Sequence, residues 1–359
     1  MLITKTDKWK AVSHLQKCIR RGWAEHIPEV ARALWSVDNA YLRYRLAVIA
    51  AEDVGIGNSP AVSNLMEDKI NKRWVDANGG IEGLIVRMQE LANSIKDRTA
   101  CTWGSLASLT AFEGIHGDWE TTLPQRAAVI AFDDTQDLAV RAAAALRAAG
   151  TNLFPHSAFS EVEGDWESWM SFNAERAPKN VLAAMRTGQK SQKEWHPAFL
   201  GMCWADYQAS PAETIVTVPK NFGYVHGYVS AAIDSHTAEG QKAIAQWWRQ
   251  TTSLRQQWQA LGWSGQDHEA IFLLSSMVFL LEGGAVDKKL GYATAKAVEQ
   301  TAKDRWSLSS DLPGKEAAQA VWQSMPQLHV CRLQFVPHQP TLDPSKQGSS
   351  DEYASENKL

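Results

Sequence analysis

Residues 12–35 read VSHLQKCIRRGWAEHIPEVARALW, and residues 41–62 read YLRYRLAVIAAEDVGIGNSPAV. In the first stretch Val12, Leu15 and Ile19, continuing from Trp9, recur at spacings of three and four, the period of one helix face. Ile27, Val30, Ala31, Leu34 and Trp35 start a second helix, and Leu42, Leu46, Ile49 and Ala50 a third. Thr6 is placed to cap the first, while Gly55, Gly57 and Pro60 punctuate the end of the third. Working outward, the same signals predict helices near 80–95, 100–112, 136–149, 178–187, 237–249, 265–282, 289–303 and 314–323. Ala139 to Ala149 is almost all alanine and arginine, which favours helix intrinsically.

Strand signals are few. Thr214 to Val218 and Leu328 to Val336 carry β-branched alternation and read as short strands or extended segments. Residues 151–175 show no period and read as an irregular connection. After Pro337 the chain lacks the apolar content to bury itself, so 337–359 reads as a disordered tail. The expected fold is mainly α, a multi-helix assembly with at most a small β element. Two domains, 1–150 and 151–336, precede the tail.

Composition excludes several classes. In 359 residues, 45% hydrophobic and 21% charged content suits a packed core. Cys18, Cys101, Cys203 and Cys331 stand apart with no CxxC, which argues against a zinc ribbon or a disulfide framework and suits a reducing cytoplasm. The start MLITKTDKWKAV has no secretory apolar region, and the longest apolar run, Ala270 to Leu281, is too short to span a bilayer, so no membrane partner is expected. A net charge of −4 excludes a wholly basic binder but not a local basic face. The 16 tryptophans read first as packing groups and second as platforms for bases.

The segments quoted above resemble the helical C-terminal region of RarA/MgsA-type AAA+ ATPases, relatives of clamp loaders that act at stalled replication forks. The resemblance rests on Lys17, Ile19 and Arg20, then on Arg45, Leu46, Ala50, Glu52, Asp53, Gly55 and Pro60. A weaker likeness covers LANSIKDRTACTWGSL (91–106), with Lys96 in the lysine position. About a third of the chain is covered. The resemblance implies self-association, since that region holds subunits together in the family. The motor is missing: there is no GxxxxGK[ST], and Gly55 and Gly57 follow a helix rather than a strand, so no nucleotide cofactor is expected.

Chemistry-bearing residues cluster farther on. Asp234, His236 and Thr237 fall at a predicted helix start, where Asp or Thr can cap and an Asp near a His can set the imidazole for acid–base work. Lys220, Lys242 and Arg249 are placed to neutralise an anion there, and Lys96 with Arg98 forms a second basic group. Trp247, Trp248, Arg249, Arg255, Trp258 and Trp263 interleave rings with cations; adjacent Trp247 and Trp248 point about 100° apart on a helix, leaving one, Trp248, to stack on bases. Glu194, His196 and Asp267-His268-Glu269 lack metal-ligand spacing, so no metal is expected, and Asp165-Trp166-Glu167 reads as a loop.

Three functions are open, the third being a pure protein–protein adaptor whose tryptophans form an interface. The first is a DNA-metabolism protein that binds single- or double-stranded DNA or a replication or repair complex and self-associates without hydrolysing ATP. The second is a nucleic-acid- or nucleotide-modifying enzyme, a base-modifying transferase or lyase, with Asp234 and His236 as its acid–base pair. The second requires the Lys96/Arg98 and Asp234/His236 groups to meet in space.

Overall fold

A computed structural model of the chain describes residues 7–67, 72–112, 122–150, 163–192, 194–217, 223–308 and 314–336. Thr6, Val218, Lys220 and the tail 337–359 lie outside them. The helices are α1 (Lys8–Arg20), α2 (Ile27–Ile49), α3 (Ser59–Glu67), α4 (Lys72–Ala77), α5 (Gly80–Asn93), α6 (Thr99–Phe112), α7 (Pro124–Phe132) and α8 (Leu138–Ala149). They continue as α9 (Trp166–Ala174), α10 (Lys179–Gln192), α11 (His196–Ala209), α12 (Ala238–Gln250), α13 (Thr252–Ala260), α14 (Asp267–Val278), α15 (Ala293–Leu308) and α16 (Gly314–Phe335). Two antiparallel ribbons complete the described fold: β1 (Glu213–Val216) with β4 (Lys288–Gly291), and β2 (Tyr224–Val225) with β3 (Tyr228–Val229). The mainly α expectation holds. No described helix is long and apolar enough to cross a membrane.

The second and third predicted helices run on as α2, broken by extended backbone at Asp38, whose Oδ1 accepts from Tyr41 N at 2.9 Å and caps the later half. Three expectations are corrected. Leu328 to Val336 is not a strand: Leu328 and Cys331 face the core at helical spacing, and α16 carries the stretch through Phe335. The helix expected over 289–303 begins late, because Lys288–Gly291 pairs with β1 and α15 starts only at Ala293. Within 151–175, Trp166–Ala174 is helical, with Asp165 Oδ1 accepting from Ser168 N at 2.9 Å as its cap.

The alanine-rich α8 is enclosed on nearly every side. Alanines let α6, α7, α9 and α11 approach closely, as expected of a helix apolar all round. Its two arginines are satisfied: Arg141 donates to Ala131 O and pairs with Asp206, each at 3.0 Å, and Arg147 reaches Glu163 O.

The buried apolar residues form two clusters. The larger runs from Ala11 to Cys203 and takes in Val225 to Ile233, the β4–α15 region and Val336; Trp103 stacks on Phe199 within it. The smaller joins α12, α13, α14 and α16 around Trp247, Trp248 and Trp258. Packing crosses residue 150, since α8 touches both α9 and α11. Between the clusters the seam is polar: Lys10 meets Glu239 at 2.6 Å, Lys17 meets Asp234 at 2.7 Å, and Arg332 donates to Ser230 Oγ at 2.8 Å.

Candidate functional site

A cleft of about 1340 Å³ opens beside that seam. One wall comes from α6, β4 and α15, which belong to the larger core; the other comes from residues 235–241, α14 and Trp322. Phe279 lines the cleft, at the start of a π-helical turn, Phe279–Gly283, that ends α14. A second π-helical turn, Ala50–Val54, ends α2 and carries Glu52 and Asp53. Such turns place side chains where a regular helix would not, and they recur at functional sites.

The two π turns meet across α1. Arg20 donates through Nε to Asp53 Oδ1 at 2.6 Å, pairs with Glu52 at 3.2 Å and donates to Gly283 O. Arg98 pairs with the same carboxylates, Glu52 at 3.2 Å and Asp53 at 3.0 Å, and donates to Gly284 O. Gln16 donates to both. Burial by itself raises the Glu52 carboxyl, yet Arg20, His196, Arg98 and Arg45 around it hold it well below the usual carboxylate range. Gly55 explains the rest of the motif. Its φ of +50° is open to glycine, and a Cβ there would stand 2.6 Å from Asp97 O. The segment 95–97 thus lies directly on this turn, with Asp97 N donating to Val54 O.

Lys17, one turn before Arg20 on α1, reaches Asp234 Oδ2 at 2.7 Å, and both side chains are enclosed. Burial by itself raises the Asp234 carboxyl, but Lys17 and the hydrogen bond with His236 hold it far below its ordinary range. Asp234 Oδ1 accepts from His236 N at 2.9 Å and lies 3.3 Å from His236 Nδ1. Thr237 caps α12, with Oγ1 accepting from Gly240 N at 3.1 Å. The His236 ring is 66% exposed, lines the cleft and meets Phe279 edge-on, with centroids 5.1 Å apart. Lys17, Arg20 and Arg98 also lie 5.6–5.7 Å from the Phe279 ring centre. One side of this centre therefore carries a buried, balanced charge cluster, and the other an imidazole open to the cleft.

The sequence-level groups do come together: Lys96, Arg98 and His236 border one cleft, with Asp234 behind His236. Their expected roles as phosphate ligands are corrected. Lys96 is fully buried and its ammonium donates to Ala92 O at 2.7 Å, Ser94 O at 2.6 Å and Asp287 at 3.4 Å. The charge of Arg98 is already matched by Glu52 and Asp53. Lys242 is exposed but does not line the cleft, whereas its neighbour Gln241 does.

The stacking platform is also corrected. Trp247 and Trp248 are both buried in the smaller core, Trp248 donating through Nε1 to Asp267 at 2.7 Å, because α13, α14 and α16 cover a wide arc of α12. Arg255 caps the end of α12 by donating to Trp248 O at 2.9 Å and to Arg249 O, while Arg249 itself is exposed. Lys220 is outside the described residues.

Sequence reasoning passed over Phe279, Lys289, Glu299 and Lys303 in the cleft. Only the Glu299–Lys303 spacing of four left a trace, as a helix-surface ion pair. Among the described residues no three His, Cys, Asp or Glu side chains converge as metal ligands do. In comparisons with known proteins, no family model, curated protein or solved structure matched the chain.

Proposed function

We propose that the protein is an enzyme that performs general acid–base chemistry on a nucleotide or a nucleic-acid base in this cleft. The observation that carries the reading is the file Lys17–Asp234–His236, buried at one end and open to the cleft at the other. With Nδ1–H directed at Asp234, the free lone pair of the imidazole is on Nε2. Nε2 can then take a proton from a ring N–H, hydroxyl or amine of the substrate and return it to a leaving group. Asp234 remains an anion because Lys17 faces its other oxygen, so it steadies the imidazolium formed on the way. Phe272, 63% exposed, with Phe279 and Trp322 gives the cleft an aromatic lining suited to a flat heterocycle. The resemblance of the N-terminal third to a replication-fork ATPase region supports a nucleic-acid setting. The alternative of a stacking DNA binder loses its platform with Trp248 buried.

The test is to incubate the protein with mononucleotides and single-stranded oligonucleotides carrying ordinary and modified bases, and to follow their masses. Because His236 is largely exposed, His236→Gln should fold normally and lose turnover by about 10²–10⁴-fold. Turnover equal to wild type in that variant, or no binding of either ligand class at low salt, overturns the proposal.

A further inference from the structure

With Lys96 and Arg98 fully engaged, the cleft's remaining cations are what a substrate anion would meet. Two of them, Lys289 on β4 and Lys303 on α15, grip a single carboxylate, Glu299, one at each oxygen: Lys289 at Oε2 and Lys303 at Oε1, the latter at 2.8 Å. All three line the cleft, with side chains 30%, 50% and 34% exposed in the order Lys289, Lys303, Glu299. Within this triad two ammonium groups face one carboxylate, and Asp97 also acts electrostatically on Lys289, so the surplus positive charge is centred on Lys303. Each ammonium has three N–H donors, and each of these pairs uses one. Donors and charge are thus available together, on a wall that also holds small residues, Ala295 and Ala302, on the Glu299 face of α15.

The backbone beneath them is firmly held. Lys96 N donates to Lys288 O at 2.8 Å and Leu290 N donates to Lys96 O at 2.9 Å, while β1 pairs with the other edge of β4. Lys289 is therefore fixed to the segment that carries Arg98, and through it to the charge cluster behind His236.

We infer that Lys289 and Lys303 form the phosphate-recognising end of the cleft, so that its ligand is a phosphate-bearing nucleotide whose ring meets the Phe272–Phe279 wall. Glu299 acts as the resident counter-charge that the phosphate displaces or shares. This inference rests on the reading of the cleft as a nucleotide site, although its anion-binding part is testable alone. The phosphate can belong to a free nucleotide or to a nucleic-acid backbone, and both are tested.

Calorimetric titration with thymidine, thymidine 5′-monophosphate, a short oligothymidylate and inorganic pyrophosphate decides it. In the wild type the monophosphate should bind about tenfold or more tightly than thymidine, the size of one charge-assisted contact. Lys289→Gln with Lys303→Gln should erase that preference and pyrophosphate binding. Glu299→Gln should strengthen both, an effect that a merely structural ion pair does not produce. A stronger preference for the oligonucleotide than for the monophosphate identifies the backbone as the source; the reverse identifies a free nucleotide. Equal binding of thymidine and its monophosphate, or a preference that survives the double lysine variant, overturns the inference while leaving the His236 reading intact. Lysine-dependent pyrophosphate binding with no binding of thymidine, its monophosphate or the oligothymidylate instead sinks the nucleotide reading and retains the anion subsite.

Discussion

Lys17→Met tests the centre of the site. The substitution keeps a long buried side chain and removes the ammonium that stands 2.7 Å from Asp234 Oδ2. Both side chains are nearly sealed from water, 3% and 1% exposed, so solvent cannot replace the lost partner. At an effective dielectric of ~20 the direct attraction at this separation is about 6 kcal/mol, from which the cost of burying Lys17 itself must be subtracted. Removing one member of such a pair leaves an unmatched buried charge, and the expected loss of stability is about 3–5 kcal/mol. Asp234→Asn in the Lys17→Met background removes the stranded charge and should restore ~2 kcal/mol or more. Urea unfolding of the four proteins at pH 7, followed by tryptophan fluorescence, measures the cycle. The pH dependence adds a sign. Asp234 is held below its ordinary range in the wild type, so its contribution is present above its unfolded pKa of 3.8 and is lost as pH falls through the folded value. The gap between wild type and Lys17→Met should accordingly narrow as pH falls, starting above 3.8, because burial without Lys17 raises the carboxyl in the variant. A single-variant loss under about 1 kcal/mol, or strict additivity with Asp234→Asn, refutes the pairing as the source of the anion behind His236.

Two further outcomes are expected. Asp97 is enclosed, its Oδ1 accepting from Thr99 N and Oγ1, and burial pushes its carboxyl up to about 6 from 3.8. Between those values the folded state keeps a proton that the unfolded chain has released, so stability falls as pH rises, by about 3 kcal/mol at ~1.4 kcal/mol per pH unit. Asp97→Asn should remove that fall; an identical pH–stability slope in the two proteins over pH 4–6.5 would show that Asp97 does not cause it. Gly55→Ala forces a side chain into positive φ and against Asp97 O, and should cost about 2–4 kcal/mol in urea unfolding. An unchanged midpoint would mean that the 95–97 segment does not press on this turn.

Helix periodicity was legible wherever one face repeats at three and four, as in α1 and α2, because a helix half-buried on a core must show that period. It failed where burial is wide or where a partner strand decides. α11 escaped prediction because His196 to Cys203 is buried without a stripe. Lys288–Gly291 is a strand only because Glu213–Val216 and Lys96 lie alongside it. Leu328 to Val336 mimicked a strand locally, yet the turns of α16 before it and the core beside α12 and α13 hold it helical.

For the site, residue types alone singled out Asp234, His236, Lys96 and Arg98, since short sequence neighbourhoods place carboxylate, imidazole and cations together, whereas Glu52 and Asp53 entered through the family resemblance. Their electrostatic roles depend on partners 30 to more than 200 residues away. Lys17 meets Asp234 across 217 residues, and Arg20 meets Asp53 across 33. Lys96 and Arg98 looked available because nothing nearby in the sequence announces Asp287 or shows that Glu52 and Asp53 fold against them. Trp248 looked exposed because adjacency on a helix fixes directions but not how many neighbours pack around it. Local backbone preference and apolar spacing act over a few residues and can be read directly from the chain. A charge is open to a ligand only after the pairing of remote segments, and here that pairing left His236, Lys289 and Lys303 facing the cleft while drawing Lys96 and Arg98 into the protein.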